Sequence, residues 1–198
     1  AIDGVLQAVI CIFDPLRDEA ADVIKELYDL GVSKVCMLTG DNERTAAAVA
    51  EKLDLTEYRS GVLPEDKLAF IKAEHTAGRK VMMIGDGVND APALAEADVG
   101  IAVNEGAAIA REISDITISS DDLHRIVLLR KLSMQLMNRI DNNYRFIVAF
   151  NAGLIGLGVA GILTPSSSAL FHNGSTILSG LYSTTPLLSE SEEDIKEF

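Results

Sequence analysis

Apolar and polar residues follow two different patterns along the chain. In the first two-thirds, short apolar runs are separated by stretches in which apolar residues recur every three or four positions. Short apolar runs bounded by Gly, Pro or Asp predict strands, whereas the longer period predicts helices. The predicted strands are residues 6–13, 34–38, 80–84, 99–103 and 116–118, and the predicted helices are residues 16–30, 43–53, 64–76, 91–97 and 107–113. This alternation predicts an α/β fold with a parallel sheet that helices cover on both faces.

The last third of the chain has a different composition. No charged side chain occurs from Phe146 to Leu188. Residues 146–164 are about as long as a helix that crosses a hydrocarbon core, and residues 169–188 form a second, more polar candidate span. Residues 165–168 are then a short turn, and residues 122–145 are a helical stalk. The alternative is a buried helical hairpin of a soluble protein, which the uncharged length disfavours.

Charged residues predict how these segments are oriented. Several basic residues precede the first candidate span, among them Arg130, Lys131, Arg139 and Arg145, and the turn has no charge. By the positive-inside rule, residues 1–145 and 189–198 lie in the cytoplasm and the turn lies outside. We therefore expect a multi-pass membrane protein in contact with the lipid bilayer. The expected order is an α/β domain (1–121), the stalk (122–145), two membrane helices (146–188) and an acidic, solvated tail (189–198).

Net charge and the first residues add two further constraints. The 198 residues have a formal net charge of −13, which argues against a nucleic-acid partner because such partners bind basic surfaces. The chain begins Ala-Ile-Asp-Gly, which is neither a signal peptide nor the usual start of a domain. We interpret this start as an internal cut in a longer sequence.

The most informative chemistry lies in residues 85–94, which read Gly-Asp-Gly-Val-Asn-Asp-Ala-Pro-Ala-Leu and follow an apolar run. A buried strand would deliver this Gly-rich turn to the carboxyl edge of the parallel sheet, where such folds bind ligands. The turn holds Asp86 and Asp90, with Asn89 between them. Hard oxygen ligands crowded in this way suit Mg²⁺ when phosphate completes its coordination. Asp86 is the first choice for a magnesium ligand, with Asn89 and Asp90 behind it, and Asp90 also suits the N-cap of the next helix.

Two more segments are expected at the same edge. Thr39 and Gly40 follow a predicted strand and precede a helix, so the Thr39 hydroxyl and the adjacent backbone N–H groups suit phosphate oxygens. Asp41 and Asn42 are interpreted as caps of the following helix. Lys67 opens another helix and would neutralise phosphate as a point charge, although taken alone it would be a solvated surface lysine. Together with the carboxylates, these groups predict a site for phosphoryl transfer.

No residue of the chain has the features of the activated nucleophile that this chemistry needs. Asp14 follows a predicted strand, but it lies in the sequence Asp-Pro-Leu-Arg, where Arg17 is a suitable ion partner. We interpret Asp14 as a loop and helix-capping residue.

In their order along the chain, these motifs resemble P-type cation-transporting ATPases, which are members of the haloacid dehalogenase superfamily. The resemblance rests on Thr39-Gly40-Asp41, on Lys67 and above all on residues 85–94, and residues 14–17 resemble another loop of these pumps. Two candidate spans followed by the end of the chain are similar to the heavy-metal (type IB) class. The matching segments extend over roughly residues 6–188.

The resemblance implies a role for each matched residue and also shows what is missing. Asp86 would hold the catalytic Mg²⁺, supported by Asn89 and Asp90, while Thr39 and Lys67 would contact the phosphoryl group. The Asp-Lys-Thr-Gly-Thr motif that carries the family's phosphorylated aspartate is absent, as is a recognisable nucleotide-binding domain. ATP would therefore be bound mainly by N-terminal pump domains that this chain lacks. The expected fold is an incomplete Rossmann-like haloacid dehalogenase domain followed by a two-helix transmembrane hairpin. The intact pump would be an enzyme, and this chain alone would be inactive.

Polar side chains recur on one face of the second candidate span, at His172, Ser175, Thr176, Ser179 and Ser183. His172 suits a divalent transition metal ion such as Zn²⁺ or Co²⁺, and Asn151 on the first span would add an oxygen. We therefore consider His172, Asn151, Ser175 and Thr176 as candidate ligands of a transported ion. The alternative is that the hydroxyls bond back to their own helix and that His172 links two helices by a hydrogen bond.

Residues 172–176 resemble a His-Glu-Gly-Gly-Thr segment of a heavy-metal subgroup linked to cobalt or zinc. Asn173 stands where an acidic ligand is expected, and Ser175 stands in place of a glycine. The Met-Ser-x-Ser-Ser pattern of copper pumps is absent, which disfavours a soft Cu⁺ site.

Two other functions are compatible with these residues. A membrane-tethered phosphatase of the same superfamily would need an aspartate nucleophile, so phosphatase activity of the isolated chain would indicate it. A non-catalytic module would dock on other pump domains. A gain of ATPase activity on mixing with the N-terminal part would favour a pump fragment over that module.

Overall fold

Among the described residues, five strands in two parallel sheets, together with the helices that flank them, position the candidate site. The computed structural model describes residue 7 and residues 15–86, 89–103, 112–118 and 122–187. The chain divides into two compact units, Ala1–Val127 and Leu128–Phe198. The predicted strand at residues 6–13 except residue 7, Asp14, most of the predicted helix at residues 107–113 and the acidic tail lie outside the described residues.

The first unit alternates helices and strands, as the sequence predicts. Its elements are α1 (Ala20–Asp29), β1 (Cys36–Leu38), α2 (Glu43–Lys52), β2 (Glu57–Arg59), α3 (Pro64–Thr76), β3 (Met82–Gly85), α4 (Ala91–Glu96), β4 (Val99–Val103) and β5 (Ile116–Ile118). Helix α3 and strands β4 and β5 have the predicted bounds, whereas α1 begins at Ala20 rather than at residue 16. Strand β2 was not predicted, because Glu57-Tyr58-Arg59 is polar and too short to show an apolar alternation.

All strand pairs among the described residues are parallel. Strand β1 pairs with β2, with Cys36 opposite Glu57 and Leu38 opposite Arg59. In the other sheet, β4 lies between β3 and β5. Parallel strands bring their carboxyl ends to one edge of a sheet, so the loops that follow β1 and β2 share one edge and those that follow β3 and β4 share another.

The core next to the candidate site lies between the three-stranded sheet and helices α3 and α4. Ile71, Met83, Ala93 and Leu94 form one buried cluster. Gly100 permits the close approach of α4, since a Cβ at this position would lie 2.5 Å from the carbonyl oxygen of Leu94. Burying a side chain of the size of Ile71, Met83 or Leu94 contributes about 1.5–3 kcal/mol. The cluster therefore holds both helices in place beside the site.

Local signals start the two helices that border the site. Asn42 caps α2, as predicted, because its Oδ1 accepts a hydrogen bond from the backbone N–H of Thr45 at 3.1 Å. Pro64 occupies the first turn of α3, and Oδ2 of Asp66 accepts from the N–H of Leu63 at 3.0 Å. These interactions satisfy N–H groups that would have no partner within the helix.

Two long helices account for most of the remaining described residues, α5 (His124–Val159) and α6 (Pro165–Ser183). The predicted stalk and the start of the first candidate span form one continuous 36-residue helix. Gly161 ends it with a φ of +73°, a conformation that glycine adopts readily. The first candidate span, predicted to reach residue 164, is therefore helical only as far as Val159.

The turn predicted at residues 165–168 is wrong. The hydroxyl of Thr164 caps α6 by accepting from the N–H of Ser167 at 3.3 Å, and Pro165 lies in the first helical turn. Proline suits this position because its missing N–H would have no helical partner there. In the part of the chain that the structure describes, no helix combines the length and the apolar character needed to cross a membrane.

Candidate phosphate and magnesium site

Thr39 lies directly after β1, at the edge where the sequence predicts a phosphate contact. Its backbone N–H donates to the carbonyl of Arg59 at 3.0 Å, and its carbonyl accepts from the N–H of Val62 at 2.9 Å. Its hydroxyl donates to Oδ2 of Asp41 and accepts from the Asp41 N–H, both at 3.1 Å. The loop after β2 therefore fixes the Thr39 loop. Asp41 holds the Thr39 hydroxyl and is not the helix cap that the sequence predicted.

Lys67 of α3 reaches Asp90, the residue that precedes α4. The Lys67 Nζ lies 2.7 Å from Oδ1 of Asp90, and the two side chains are 17% and 11% exposed. Lys67 is thus not a solvated surface lysine. Asp90 occupies the N-cap position of α4, but its side chain makes no capping hydrogen bond and contacts Lys67 instead.

Gly85 makes room for this ion pair. A Cβ at Gly85 would lie 2.6 Å from Oδ2 of Asp90, too close for any side chain. By contrast, a Cβ at Gly40 would lie 3.8 Å from the carbonyl oxygen of Val62, an ordinary contact. The packed carboxylate therefore requires glycine at the end of β3, whereas packing does not require it after Thr39.

Asp86 and Asn89 are exposed in the same loop as the buried Asp90. Their side-chain oxygens are hard ligands of the kind that Mg²⁺ prefers, and Mg²⁺ commonly takes one or two carboxylates and completes its shell with water and substrate phosphate. The described residues contain no group of three or more His, Cys, Asp or Glu side chains arranged for a metal ion. Asp86 and Asn89 therefore remain the predicted Mg²⁺ ligands, and Asp86 is the exposed carboxylate of this loop.

A second set of contacts, which sequence reasoning missed, joins the start of α2 to β2. Glu43 accepts hydrogen bonds from the hydroxyls of Ser60 and Tyr58, the latter at 2.8 Å. These bonds, first that of Ser60 and then that of Tyr58, lower the pKa of Glu43. The Glu43 carboxylate in turn raises the pKa of Tyr58. An acidic residue in the first turn of a helix is ordinary, so no sequence signal indicated this role.

A charged network ties α3 to the two-stranded sheet. Lys34 lies 2.5 Å from Glu57 and 3.0 Å from Glu74, which Arg79 also contacts. The hydrogen bond from Arg79, and after it that from Lys34, holds the pKa of Glu74 at about 2 against the opposing effect of burial. Because Glu74 and Lys67 belong to the same helix, the network also restrains the position of Lys67.

A cavity of about 460 Å³ lies beside β1 and α3. Its lining comprises Leu38, residues 59–62 and four residues of α3, Asp66, Ala69, Phe70 and Ala73. Its two charged groups already have partners, since Arg59 contacts Glu57 at 3.0 Å and Asp66 accepts from a backbone N–H. The lining therefore favours an apolar occupant over a charged ligand.

In the second unit, His172 and Asn151 link helices α5 and α6. Nδ1 of His172 lies 2.8 Å from Oδ1 of Asn151, so the ring N–H donates to the amide oxygen. The hydroxyls of Ser175 and Thr176 donate to the carbonyl of His172 at 2.8 and 3.1 Å. The structure therefore brings the four candidate ion ligands together in the hydrogen-bonded arrangement that the sequence left open as the alternative to ion binding.

Comparison with known proteins identifies relatives of both units. The family model for haloacid dehalogenase-like hydrolases matches residues 1–98. The zinc-exporting P-type ATPase of Mycobacterium marinum is 43% identical over 178 residues, which are 89% of this chain and 24% of that protein. The manganese-exporting P-type ATPase of Mycobacterium bovis is 41% identical over 178 residues, which are 89% of this chain and 25% of that protein. The chain thus spans about a quarter of the length of these relatives.

A solved structure agrees with the sequence relatives. The crystal structure of a zinc-transporting PIB-type ATPase in the E2·Pi state superimposes with a TM-score of 0.77 at 35% identity, covering 86% of this chain and 28% of that chain. Together with the parallel strands and the residues at their carboxyl ends, these matches show that residues 1–98 match the haloacid dehalogenase-like hydrolases and that the chain is homologous to about a quarter of a heavy-metal P-type ATPase.

Proposed function

We propose that this chain is part of an ATP-driven pump for heavy-metal cations and supplies half of the phosphorylation site of that pump. The observation that carries the proposal is the ion pair of Lys67 and Asp90, which lies in the same loop region as the exposed Asp86 and Asn89. A fixed cation beside hard oxygen ligands is what phosphoryl transfer with Mg²⁺ requires. The intact pump would be the ATP-hydrolysing enzyme.

The described residues suggest a division of roles at this site. Asp86 and Asn89 would hold Mg²⁺, and Asp90 would complete the site while it orients Lys67. Bound Mg²⁺ would neutralise charge on the phosphoryl oxygens. The Thr39 hydroxyl and the backbone at Gly40 would bind those oxygens, with Lys67 as a point charge. Such binding requires the Thr39 hydroxyl to exchange its present acceptor, Asp41, for phosphate.

The nucleophilic aspartate and most of the ATP site would come from N-terminal pump domains, which are the chain's main partners in this proposal. Among the described residues, β1 pairs only with β2 and β3 only with β4, so each sheet has an edge strand. An extended segment that carries the aspartate would lie along these edges and bring its carboxylate near Thr39 and Asp86. The cavity beside Leu38 and α3 has room for apolar side chains of that segment. The chain alone would then have no ATPase activity.

Although neither helix by itself has the apolar character of a membrane span, we propose that the two long helices form a membrane hairpin that contacts the lipid bilayer. Large apolar side chains are exposed on both helices, for example Val159 at 85% and Leu170 at 71%. Apolar surface of this extent is characteristic of contact with lipid or with other helices. In this arrangement, residues 1–145 and 189–198 lie in the cytoplasm.

The transported ion would be a divalent transition metal bound near His172, Asn151, Ser175 and Thr176. Opening the bond between His172 and Asn151 would free an imidazole nitrogen and an amide oxygen for the ion. Zinc and manganese, which the names of the two relatives give, both accept ligands of these types.

The proposal is tested with Asp86→Asn in the complete pump. The measurement is the acid-stable phosphoenzyme formed from ATP and Mg²⁺, which we expect to fall at least about tenfold because a metal ligand is weakened. Asp29→Asn, which changes an exposed aspartate at the end of α1, is the matched control and should behave like the wild type. Normal phosphorylation of the Asp86 variant would contradict the proposed role.

Activity assays on the isolated chain distinguish the pump fragment from the two competing functions. Hydrolysis of small phosphate monoesters by the chain alone would favour a membrane-tethered phosphatase and would contradict the pump fragment. Recovery of ATP hydrolysis on mixing the chain with the N-terminal part of the pump would support the proposal. Binding to that part without any recovery would indicate a non-catalytic docking module.

A further inference from the structure

One arginine of α5 holds the carboxyl end of α6. The guanidinium of Arg139 donates through Nη2 to the carbonyl of Pro186 at 3.0 Å and through Nη1 to the carbonyl of Thr185, with a longer contact of 3.4 Å to that of Ser183. Ser183 is the last residue of α6, so its carbonyl has no partner within the helix and lies at the negative end of the helix dipole, whereas Thr185 and Pro186 lie just beyond the helix end. A planar cation with several donors suits this position better than any other side chain.

Two further contacts strengthen this attachment. The Arg139 guanidinium lies 5.2 Å from the ring centre of Tyr182, in a cation–π arrangement. Asn143, one helical turn after Arg139, donates from Nδ2 to Oγ of Ser183 at 2.8 Å. We call Arg139 and Asn143, together with the end of α6 that they contact, the clasp.

The clasp and the pair of His172 and Asn151 are two points of one antiparallel register. Asn151 lies about two turns beyond Asn143 along α5, and His172 lies about three turns before Ser183 along α6. If α6 slipped by one turn, about 5.4 Å, the His172 ring would no longer meet Asn151. The hydrogen bond of His172 therefore depends on how the far end of α6 is held.

We propose that Arg139 is a positioning residue for the pair of His172 and Asn151, since the clasp sets the register of α6 along α5. The role of that pair in ion binding rests on the function proposed above, whereas the register does not. Arginine keeps its charge at every pH at which the protein is folded, so the clasp is a permanent constraint and not a pH switch.

The chain offers a matched control for this proposal. Arg145 lies on the same helix, is exposed, and has no hydrogen bond, ion pair or ring contact with the other described residues. Arg145→Gln therefore removes the same charge from α5 as Arg139→Gln but leaves the clasp intact. Arg139→Lys keeps the charge, but a single ammonium nitrogen cannot match the planar fork that reaches several carbonyls.

The first experiment measures the histidine ring nitrogens of the full chain by ¹⁵N NMR in detergent micelles. The chain has three histidines, and His172→Gln assigns the signal of interest. We expect Arg139→Gln to shift the His172 signals towards those of a freely exchanging imidazole and Arg145→Gln to leave them unchanged. His75 and His124 report whether the first unit is folded, and far-UV circular dichroism reports whether the two long helices, which lie mainly in the second unit, remain helical.

Wild-type His172 signals in a folded Arg139→Gln variant would overturn the proposal. If Arg139→Gln fails to fold, Arg139→Lys decides in its place. Altered His172 signals with unchanged His75 and His124 signals and unchanged circular dichroism would then support the proposal, and unaltered His172 signals would overturn it.

The second experiment titrates the same proteins with Co²⁺ alone and follows its visible absorption. If the pair binds the ion, Arg139→Gln should weaken Co²⁺ binding by about 10-fold to 100-fold, as substitutions of residues that position a metal ligand commonly do. Arg145→Gln should leave Co²⁺ binding unchanged. Equal affinity of wild type and Arg139→Gln would contradict the positioning role. Absence of Co²⁺ binding in the wild type would reject the proposed ion site, while the NMR experiment still decides the register.

Discussion

The Nζ of Lys67 lies 2.7 Å from Oδ1 of Asp90, and this contact joins α3 to the loop between β3 and α4. Both side chains are largely buried, so each charge depends on the other for its stability. The pair connects two motifs that lie 23 positions apart in the sequence.

Lys67→Met should destabilise the chain because it leaves the Asp90 carboxylate buried without its cation. We expect a loss of about 3 kcal/mol in the free energy of unfolding, the lower end for a broken buried pair. Urea unfolding followed by the NMR signals of Tyr28 and Tyr58, which lie in the first unit, measures this loss. The control is Lys72→Met on the same helix, where the lysine is 58% exposed and the expected change is within about 0.5 kcal/mol. Equal stability of the two variants would show that the pair contributes little.

Gly85→Ala should disturb the same ion pair from the other side. The new Cβ would fall 2.6 Å from Oδ2 of Asp90 and push the carboxylate away from Lys67. We expect a loss of about 1–3 kcal/mol in the free energy of unfolding, as for other overpacked sites. Gly40→Ala, whose Cβ meets only an ordinary contact, serves as the control and should unfold near the wild-type urea concentration. A Gly85 variant as stable as the Gly40 variant would show that Asp90 moves without cost.

Glu74→Gln should change the dependence of stability on pH. Contacts with Arg79 and Lys34 hold the folded-state pKa of Glu74 at about 2, below its ordinary value of 4.5. Because the folded-state pKa is depressed, the carboxylate stabilises the fold above about pH 4.5, and this contribution is lost as the pH falls towards 2. The wild type should therefore lose stability between about pH 5 and pH 3 more steeply than Glu74→Gln does. Denaturant unfolding at both pH values, with the exposed Glu51→Gln as the control, measures the difference; parallel pH profiles for wild type and Glu74→Gln would contradict it.

Glu43→Gln should lower the pKa of Tyr58. In the wild type the Glu43 carboxylate accepts the phenol proton and favours the neutral phenol, which raises the pKa of Tyr58. Without the negative charge, this pKa should return towards its ordinary value of 10.0. NMR titration of the tyrosine rings detects the change, with Tyr58→Phe to assign the signal and Tyr28 as the internal control. An unchanged Tyr58 titration would indicate that the two side chains do not interact in solution.

The sequence predicted the loops at the sheet edge better than the contacts between them. Thr39 and Asp86 each follow a short apolar strand, as predicted, but among the described residues these two strands belong to separate sheets. The pairing of Lys67 with Asp90 and that of Glu43 with Tyr58 connect distant positions, which local periodicity does not encode. Strand β2 escaped prediction for a related reason, since its pairing with β1 and not its own pattern makes it a strand.

For the two long helices too, the sequence predicted the segment better than its ends and its contacts. The uncharged composition marked residues 146–188 as a distinct part of the chain, but composition does not say where a helix ends. Gly161 and Thr164 set those ends through backbone conformation and capping, which moved the predicted turn. The contacts of Arg139 were not predicted, because their acceptors are backbone carbonyls that leave no mark in the sequence.

The edge strands β1 and β3 have a consequence for synthesis and handling of the chain by itself. Among the described residues each pairs on one side only. The N–H and C=O groups on the other side of an edge strand can form hydrogen bonds with any extended strand, including one from a second copy of the chain. Self-association of the isolated chain would then rise with its concentration. We expect the yield of monomer on refolding to fall as the chain is made more concentrated, as size-exclusion chromatography would measure. Dilution would therefore govern how much of the isolated chain stays monomeric before it aggregates.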